Sequence, residues 1–194
     1  VNHAYCEFRT DSTPNEQFQE LCAQVHAYGG DILLDMAVNH LGWSTELLNE
    51  HPEWFVRRAD QHFVSPGAWG VTWEDLVELD FSQKDVWKYL ADSLLLWCER
   101  GVDGFRADAG YQVPVEVWEY VTARVHEIYP ETLFLLEGLG GAWDSSEAIL
   151  KHGGMQWAYS EMFQQEGSEM LEGYLKHLNR ISLEVGILAN YAET

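Results

Sequence analysis

Basic residues are scarce in this sequence. Its 194 residues include 11 Lys and Arg against 32 Asp and Glu, which gives a formal net charge of −21 at pH 7. Proteins that bind nucleic acid or anionic membranes do so mainly by neutralising phosphate groups with Lys and Arg. The charge balance therefore argues against a nucleic-acid or membrane partner and leaves neutral and cationic ligands open.

Cysteines and long apolar segments are also few. Cys6, Cys22 and Cys98 show no Cys-X-X-Cys spacing, which argues against a disulfide framework and a structural zinc site. The apolar run at residues 94–98 is far shorter than the roughly 18 residues that cross a bilayer. Because the sequence begins at Val1 without a signal segment, we expect an interior piece of a longer protein. Unpaired thiols favour the cytoplasm.

Helical and strand-like patterns alternate along the chain. A capping box from Thr13 to Glu16 begins a first helix, Ser82 and Asp85 give the same signature for a second, and Pro114 begins a third. Apolar runs predict strands, and weaker patterns complete the series: strands at 32–38, 102–108, 133–137, 155–159 and 187–191, and helices at 146–151 and 168–181. This alternation predicts a parallel sheet built from right-handed crossovers, with the chemistry at the carboxyl ends of the strands.

Residues 43–80 lack this periodicity and hold four of the nine tryptophans. A connection of this length inside a compact domain is usually functional. Trp43, Trp69 and Trp73 in this segment either pack in a core or offer flat rings to the apolar faces of sugars.

Two acids each end an apolar strand. Asp108 and Glu137 lie 29 residues apart, the length of one strand-helix-strand unit, so they should face one mouth of the sheet. Arg106 shares a strand face with Asp108 and favours its ionised form, whereas the apolar residues before Glu137 disfavour a charge there. One ionised and one protonated acid is what glycoside hydrolysis requires; the alternative is that each strand merely ends in a solvated acid.

Asp35 interrupts the run at 32–38, which otherwise has the pattern of a strand covered on both faces. A buried acid needs a partner, and Arg106 on the following strand is the natural one. Residues 39–42 then end the strand. His40 is either a hydrogen-bonded structural histidine or a ligand-binding residue.

Taken in order, these motifs resemble those of the α-amylase family, glycoside hydrolase family thirteen, through most of the chain. The resemblance is carried by four segments: Asp35-Met36-Ala37-Val38-Asn39-His40, Leu76-Val77-Glu78-Leu79-Asp80, Gly104-Phe105-Arg106-Ala107-Asp108 and Leu136-Glu137-Gly138. It implies an α/β fold of the (β/α)₈ barrel type. Residues 1–194 would form a single, incomplete barrel domain with about strands three to seven, and 43–80 would be a short irregular insertion after strand three.

The resemblance also implies roles for residues. Asp108 would be the nucleophile, Glu137 the acid and then the base, and Arg106 would hold Asp108 ionised and oriented. We expect His40, Trp43 and Tyr111 to contact substrate, and Asp35 and Asn39 to support the site.

A structural calcium is a further implication of the resemblance. Asn39 matches a position that often binds the ion, and Glu78 stands where an aspartate is common. Against this, Tyr111 and Gln112 replace a Lys-His pair that many members carry after the nucleophile. No cofactor is otherwise expected.

By the resemblance, the protein would be a retaining hydrolase or transglycosylase of α-1,4-glucans such as starch, glycogen and maltooligosaccharides. Whether water or another sugar is the acceptor stays open. The family's His-Asp signature is expected beyond Thr194, so the 194-residue piece alone should be inactive. The alternatives are a catalytically silent barrel that serves as a binding module, and a metal-dependent barrel enzyme, which Arg106 disfavours because it would repel a cation.

Overall fold

Helices and strands alternate along the chain in the computed structural model, which describes residues 11–190. The elements are, in order, α1 (Pro14–Ala27), β1 (Leu33–Ala37), β2 (His40–Gly42), α2 (Leu47–Glu50), β3 (Gly67–Ala68), β4 (Val71–Thr72), β5 (Leu76–Glu78), α3 (Lys84–Glu99), β6 (Gly104–Asp108), α4 (Val115–His126), β7 (Leu133–Leu136), α5 (Trp143–His152), β8 (Trp157–Ser160), α6 (Ser168–Glu184) and β9 (Ile187–Asn190).

Five parallel strands form the central sheet, in the order β1-β6-β7-β8-β9. Along the chain, at least one helix lies between each strand of this sheet and the next strand of the same sheet. The predicted α/β alternation and the parallel sheet are therefore confirmed. Within residues 11–190 the sheet does not close on itself, because β1 and β9 are its outer strands. This corrects the expectation that β1 is covered on both faces: Leu33 and Asp35 are exposed.

The first two long helices begin differently. In α1 the predicted capping box is present, since the Glu16 N–H donates to Thr13 Oγ1 and the Thr13 N–H donates to the Glu16 carboxylate across 2.7 Å. The box predicted at Ser82 is wrong: α3 starts after Gln83, and no side chain caps it. Ser82 is engaged elsewhere, because its N–H donates to Asp80 and its hydroxyl accepts from Gln83 Nε2.

The core lies between the sheet and the helices α3 and α4. Phe105 and Phe134 project from neighbouring strands, with ring centroids 5.7 Å apart. Apolar side chains of the two helices cover them, namely Val86, Leu90, Leu94, Val117, Trp118, Val121 and Val125. Full burial of one such side chain stabilises the fold by about 1.5–3 kcal/mol, so this packing fixes the two strands that carry the acids.

The segment 43–80 is more regular than predicted. β2 pairs with β5 and β3 pairs with β4, both antiparallel. A short helix, α2, lies between β2 and β3 along the chain. Residues 39–42 therefore do not simply break the strand, because His40–Gly42 forms a second strand with β5. The fully buried Val77 of β5 and the buried Phe55 attach this segment to the core.

Two of the three thiols lie in the described part of the chain. Cys22 and Cys98 are buried, and neither forms a disulfide within the described residues, whereas Cys6 lies outside them. Among residues 11–190, no helix has both the length and the apolar character needed to cross a bilayer.

Candidate active site

The two acids lie side by side at the carboxyl ends of β6 and β7. Asp108 is the last residue of β6, and Glu137 directly follows β7. The parallel register pairs Ala107 with Leu136, and the Glu137 N–H donates to the Ala107 carbonyl across 3.0 Å. The structure thus brings both predicted acids to one edge of the sheet.

Arg106 links two carboxylates. Its Nη1 donates to Asp35 Oδ1 and to Asp108 Oδ1, each across 2.6 Å. The register explains this bridge, because Asp35 of β1 lies opposite Arg106 and Asp108 is two residues along the same face of β6. Burial works against the charge of Arg106, but its hydrogen bonds to Asp108 and Asp35 hold its pKa above the ordinary value.

The predicted Asp35–Arg106 pair is present, but Asp35 is not a buried acid. Its side chain is 65% exposed, whereas that of Arg106 is 24% exposed. The physical reason is that β1 is an outer strand of the described sheet. The bridge is therefore screened by water on the Asp35 side and less so on the Asp108 side.

Glu137 is the most enclosed acid of the site, with 8% of the residue exposed. Burial raises the pKa of its carboxyl, and two hydrogen bonds work in the opposite direction. The Ala109 N–H donates to Oε2 across 2.8 Å and the Leu139 N–H donates to Oε1 across 2.9 Å. The net shift is upward, as predicted from the apolar residues that precede Glu137.

Ala109 has an unusual backbone conformation. Its φ of 47° lies in the left-handed region, which is uncommon for a residue with a Cβ and costs of order 1–3 kcal/mol. This conformation turns the chain immediately after Asp108 and aims the Ala109 N–H at Glu137. The two acids are thereby connected through one peptide unit.

His40 lines a cavity of about 250 Å³ that opens beside Asp108. Its other lining residues are Trp73, Asp75 and Leu76, and the rings of His40 and Trp73 meet edge to face with centroids 5.6 Å apart. Burial lowers the pKa of His40, against the opposing effect of Asp108 and Asp75. This shift favours the neutral imidazole, which can both donate and accept a hydrogen bond.

Asp75 is a residue of this cavity that the sequence-based reasoning missed. It directly precedes β5, which pairs with β2, so that Leu76 lies opposite Gly42. In that register Glu78, and not Asp75, lies opposite His40, and Asp75 faces His40 only across the cavity that both residues line. The signal that could have identified it is the adjacency of Asp75 to the segment 76–80 that resembles a family motif.

Trp43 and Tyr111 lie outside the lining of this cavity. The Trp43 indole N–H donates to the Glu74 carbonyl across 2.8 Å, and its exposed ring meets Phe63 edge to face. Tyr111 follows Asp108 in a 3₁₀ turn, and its ring packs against Gly141 in the loop after Glu137. Tyr111 is thus near the second acid, whereas Trp43 is held in the inserted segment.

The residues proposed for calcium are Asn39 and Glu78, and within the described part of the chain the Asn39 side-chain oxygen Oδ1 is buried without a hydrogen-bond partner. Asn39 is buried and its Nδ2 donates to Gln112 Oε1 across 2.8 Å, while Gln112 Nε2 donates to the Gly67 carbonyl across 3.1 Å. Glu78 is one carboxylate, and burial raises its pKa, which favours its neutral form. Calcium takes six to eight oxygen ligands, and no group of three His, Cys, Asp or Glu side chains suited to a metal occurs between residues 11 and 190.

Another cavity, of about 460 Å³, opens at the opposite end of the sheet. Val102, Asp103 and Leu133 line it where β6 and β7 begin. It is larger than the cavity beside His40, but it lies away from Asp108 and Glu137. We therefore place the candidate site at the carboxyl ends of the strands.

Comparison with known proteins gives consistent similarities. The sequence model of the alpha amylase catalytic domain matches residues 3–134. The chain is 29% identical over 169 residues to an alpha-1,4-glucan:maltose-1-phosphate maltosyltransferase of Pseudomonas aeruginosa, covering 85% of this chain and 25% of that protein. It is 28% identical over 182 residues to the enzyme of the same name from Chlorobaculum tepidum, covering 91% and 26%.

Among solved structures, the crystal structure of an alpha-amylase from Lactobacillus plantarum is similar, with a TM-score of 0.70 and 27% identity. The match covers 90% of this chain and 43% of that one. The chain spans about a quarter of the length of the two maltosyltransferases and less than half of the amylase. The region matched by the sequence model of the catalytic domain, residues 3–134, includes Asp35, Arg106 and Asp108.

Proposed function

The chain belongs to the alpha-amylase family, and on that premise we propose that it forms the central part of a (β/α)₈ barrel that cleaves or transfers α-1,4-linked glucans with retention of configuration. The five parallel strands would be about strands three to seven of that barrel. The segment 43–80 would be its inserted region after strand three.

One observation carries this proposal: Asp108 and Glu137 end adjacent parallel strands, in different electrostatic surroundings. Asp108 accepts a hydrogen bond from the positively charged Arg106 across 2.6 Å. Glu137 is buried and its pKa is raised, which favours a proton. A retaining glycosidase needs this division between a nucleophile and an acid that face one glycosidic bond.

The reaction follows from these two states. The Asp108 carboxylate attacks the anomeric carbon while the bond to the leaving oxygen breaks, and Glu137 gives its proton to that oxygen. The product of this step is a glycosyl ester on Asp108. Glu137, now a carboxylate, then takes a proton from water or from an acceptor hydroxyl, which attacks the same carbon and releases Asp108.

The cavity beside Asp108 supports a neutral sugar as the substrate. Trp73 offers an aromatic ring, and His40 and Asp75 offer hydrogen-bonding groups for hydroxyls. A net charge of −21 repels polyanions but does not oppose an uncharged glucan. The similar proteins are named as a glucan maltosyltransferase and an amylase, so both water and sugar acceptors fit the proposal.

A catalytically silent binding module is the alternative. Such a module needs no nucleophile, acid or orienting arginine, yet Asp108, Glu137 and Arg106 are all present and mutually positioned. We therefore favour an enzyme.

The test is made on the full-length protein with maltooligosaccharides. Wild type should give shorter products, and longer ones as well if it transfers glucan. Asp108→Asn should abolish turnover while binding of the oligosaccharide, measured by calorimetry, persists. Asp92→Asn, an exposed change on α3, is the matched control and should retain activity. Undiminished turnover by Asp108→Asn would contradict the mechanism.

A further inference from the structure

The short segment 138–142 joins Glu137 to helix α5 and is rich in glycine. It has little side-chain volume of its own, so its position depends on hydrogen bonds and on its neighbours. One internal bond closes it as a turn, from the Gly141 N–H to the Gly138 carbonyl across 3.0 Å. The ring of Tyr111 packs against it at Gly141.

Glu161, directly after β8, binds this segment with both of its carboxylate oxygens. The Gly140 N–H donates to Oε1 across 3.3 Å, and the Trp143 indole N–H donates to Oε2 across 2.9 Å. The two donors flank residues 141 and 142. A single carboxylate thus holds both the tip of the segment and the first residue of α5.

Glu161 is itself held by a buried tyrosine. Its backbone N–H donates to the Tyr174 hydroxyl across 2.6 Å, and the same hydroxyl shares a hydrogen bond with Ser160 Oγ across 3.0 Å. Tyr174 and Ser160 are buried, so these bonds lie in a low-dielectric setting where they are stronger than in water. Glu161 therefore starts from a rigid position on the sheet.

The segment in turn holds Glu137. The N–H of Leu139, the residue before Gly140, donates to Glu137 Oε1. Three hydrogen bonds, joined by the covalent structure of Glu161 and of residues 139–140, therefore connect Tyr174 to the carboxyl of Glu137. No step of the proposed reaction uses Glu161 directly.

We propose that Glu161 is a positioning residue for the reaction, because its carboxylate fixes residues 138–143 and thereby the orientation of Glu137. The inference rests on the proposed function for the role of Glu137 as the acid. The attachment of the segment to Glu161 is independent of the proposed function, because it is given by the hydrogen bonds alone.

A glutamine at position 161 separates this role from simple packing. It has nearly the same shape, but it offers one acceptor oxygen and one amino group to two N–H donors. One donor of the segment would then face another donor, which leaves a polar group unsatisfied. The segment should loosen at Gly140 or at Trp143.

The loosening has a defined effect on Glu137. The charged groups that act on it are Arg106 and Asp108 on β6, and β8 presents Tyr159, over whose ring Arg106 lies at 5.6 Å. None of these is altered by the change at 161. Loss of the Leu139 N–H removes one of the bonds that lower the pKa of Glu137, so that pKa rises further and the basic limb of the pH–rate profile moves to higher pH.

Three variants of the full-length protein test the proposal: Glu161→Gln, Trp143→Phe and, as the control, Glu147→Gln. Trp143→Phe removes one of the two donors and leaves the acid in place, so it serves if Glu161→Gln does not fold. Glu147 is a carboxylate on α5 that pairs with Arg180 of α6 across 2.6 Å, so its replacement weakens a contact between these two helices and leaves both bonds of Glu161 in place. Amide hydrogen exchange of residues 138–143 and kcat as a function of pH are the two measurements.

Glu161→Gln should speed exchange in the segment, lower kcat by about 10- to 100-fold with little change in KM, and move the basic limb upward. Trp143→Phe should change the exchange, kcat and the basic limb in the same directions but by less. Glu147→Gln should leave all three unchanged. Unchanged exchange in Glu161→Gln overturns the proposal, and so does faster exchange with an unaltered kcat and basic limb. If wild type has no activity on glucans, the proposed function fails, whereas the exchange data still decide whether Glu161 holds the segment.

Discussion

Arg106 and Asp108 form a hydrogen-bonded ion pair of 2.6 Å, and the same guanidinium nitrogen bridges to Asp35 at an equal distance. The nucleophile candidate is thus tied to the neighbouring strand β1 as well as to its own. A planar guanidinium can hold two carboxylates in fixed directions, whereas an ammonium group acts as a point charge.

Arg106→Lys should therefore lower kcat/KM by about 10- to 100-fold, which corresponds to the loss of one charge-assisted hydrogen bond of about 1.5–3 kcal/mol. Asp35→Asn should cost only a few-fold, because the Asp35 side chain is largely exposed and its pair is screened. Steady-state kinetics on the full-length variants provide the measurement. A larger loss of kcat/KM in Asp35→Asn than in Arg106→Lys would show that activity depends more on the Asp35–Arg106 bond than on the Arg106–Asp108 bond.

The second prediction concerns pH. The pKa of Glu137 is raised by burial in the folded protein, so its protonated form persists above the pH at which an ordinary glutamic acid ionises and is lost as pH rises through the raised value. The basic limb of kcat/KM should report this loss. Glu137→Gln should remove that limb and lower activity by about 10²–10⁴-fold; a basic limb that persists in this variant would assign it to another group.

A third prediction compares two glycines in the left-handed region. Gly154 has a φ of 71° and Gly29 a φ of 75°, so alanine at either position meets a backbone cost of about 1–2 kcal/mol. At Gly154 the added Cβ would also collide with the buried Thr122, whose hydroxyl donates to Trp118 and Gly153 carbonyls across 2.8 and 3.0 Å. At Gly29 it would enter open space.

Urea unfolding of the full-length protein should thus show a larger loss of unfolding free energy for Gly154→Ala than for Gly29→Ala, by about 1–3 kcal/mol from overpacking. Equal losses would mean that Thr122 moves aside at no cost.

The fourth prediction addresses the tyrosine that holds Glu161. Tyr174→Phe leaves the Glu161 N–H and the buried Ser160 hydroxyl without this partner, at a cost of about 1–3 kcal/mol. Tyr28→Phe is the control, since Tyr28 is 94% exposed and surface changes stay within about 0.5 kcal/mol. The thermal midpoints of both variants against wild type are the readout, and indistinguishable midpoints would contradict the assigned role of the hydroxyl.

Much of the fold could be predicted from local patterns. The apolar runs that became β6 and β7 are buried and bounded by Gly and Pro, and the box at Thr13 is satisfied by residues three positions away. The errors arose where the outcome depends on distant residues. Ser82 does not cap α3 because Asp80 binds its N–H, and Asp35 is exposed because β1 has no further neighbour in the described sheet.

In the candidate site, too, some features follow from local sequence patterns and others depend on distant residues. Strand alternation placed Arg106 beside Asp108, and the residues before Glu137 indicated its raised proton affinity. Asp75 was missed because it meets His40 only in the folded inserted segment, and Glu161 was missed because it binds the loop that follows a different strand, β7. No spacing along the chain marks such contacts.

The left-handed turn at Ala109 has a consequence for how the proton affinity of the acid is encoded. Both bonds that moderate it come from peptide nitrogens, at residues 109 and 139, so replacing either side chain with anything but proline keeps the donor itself. This part of the proton affinity of Glu137 depends on the backbone conformation and not on the neighbouring side chains. It can therefore be retained when those side chains diverge, as long as the backbone conformation is kept.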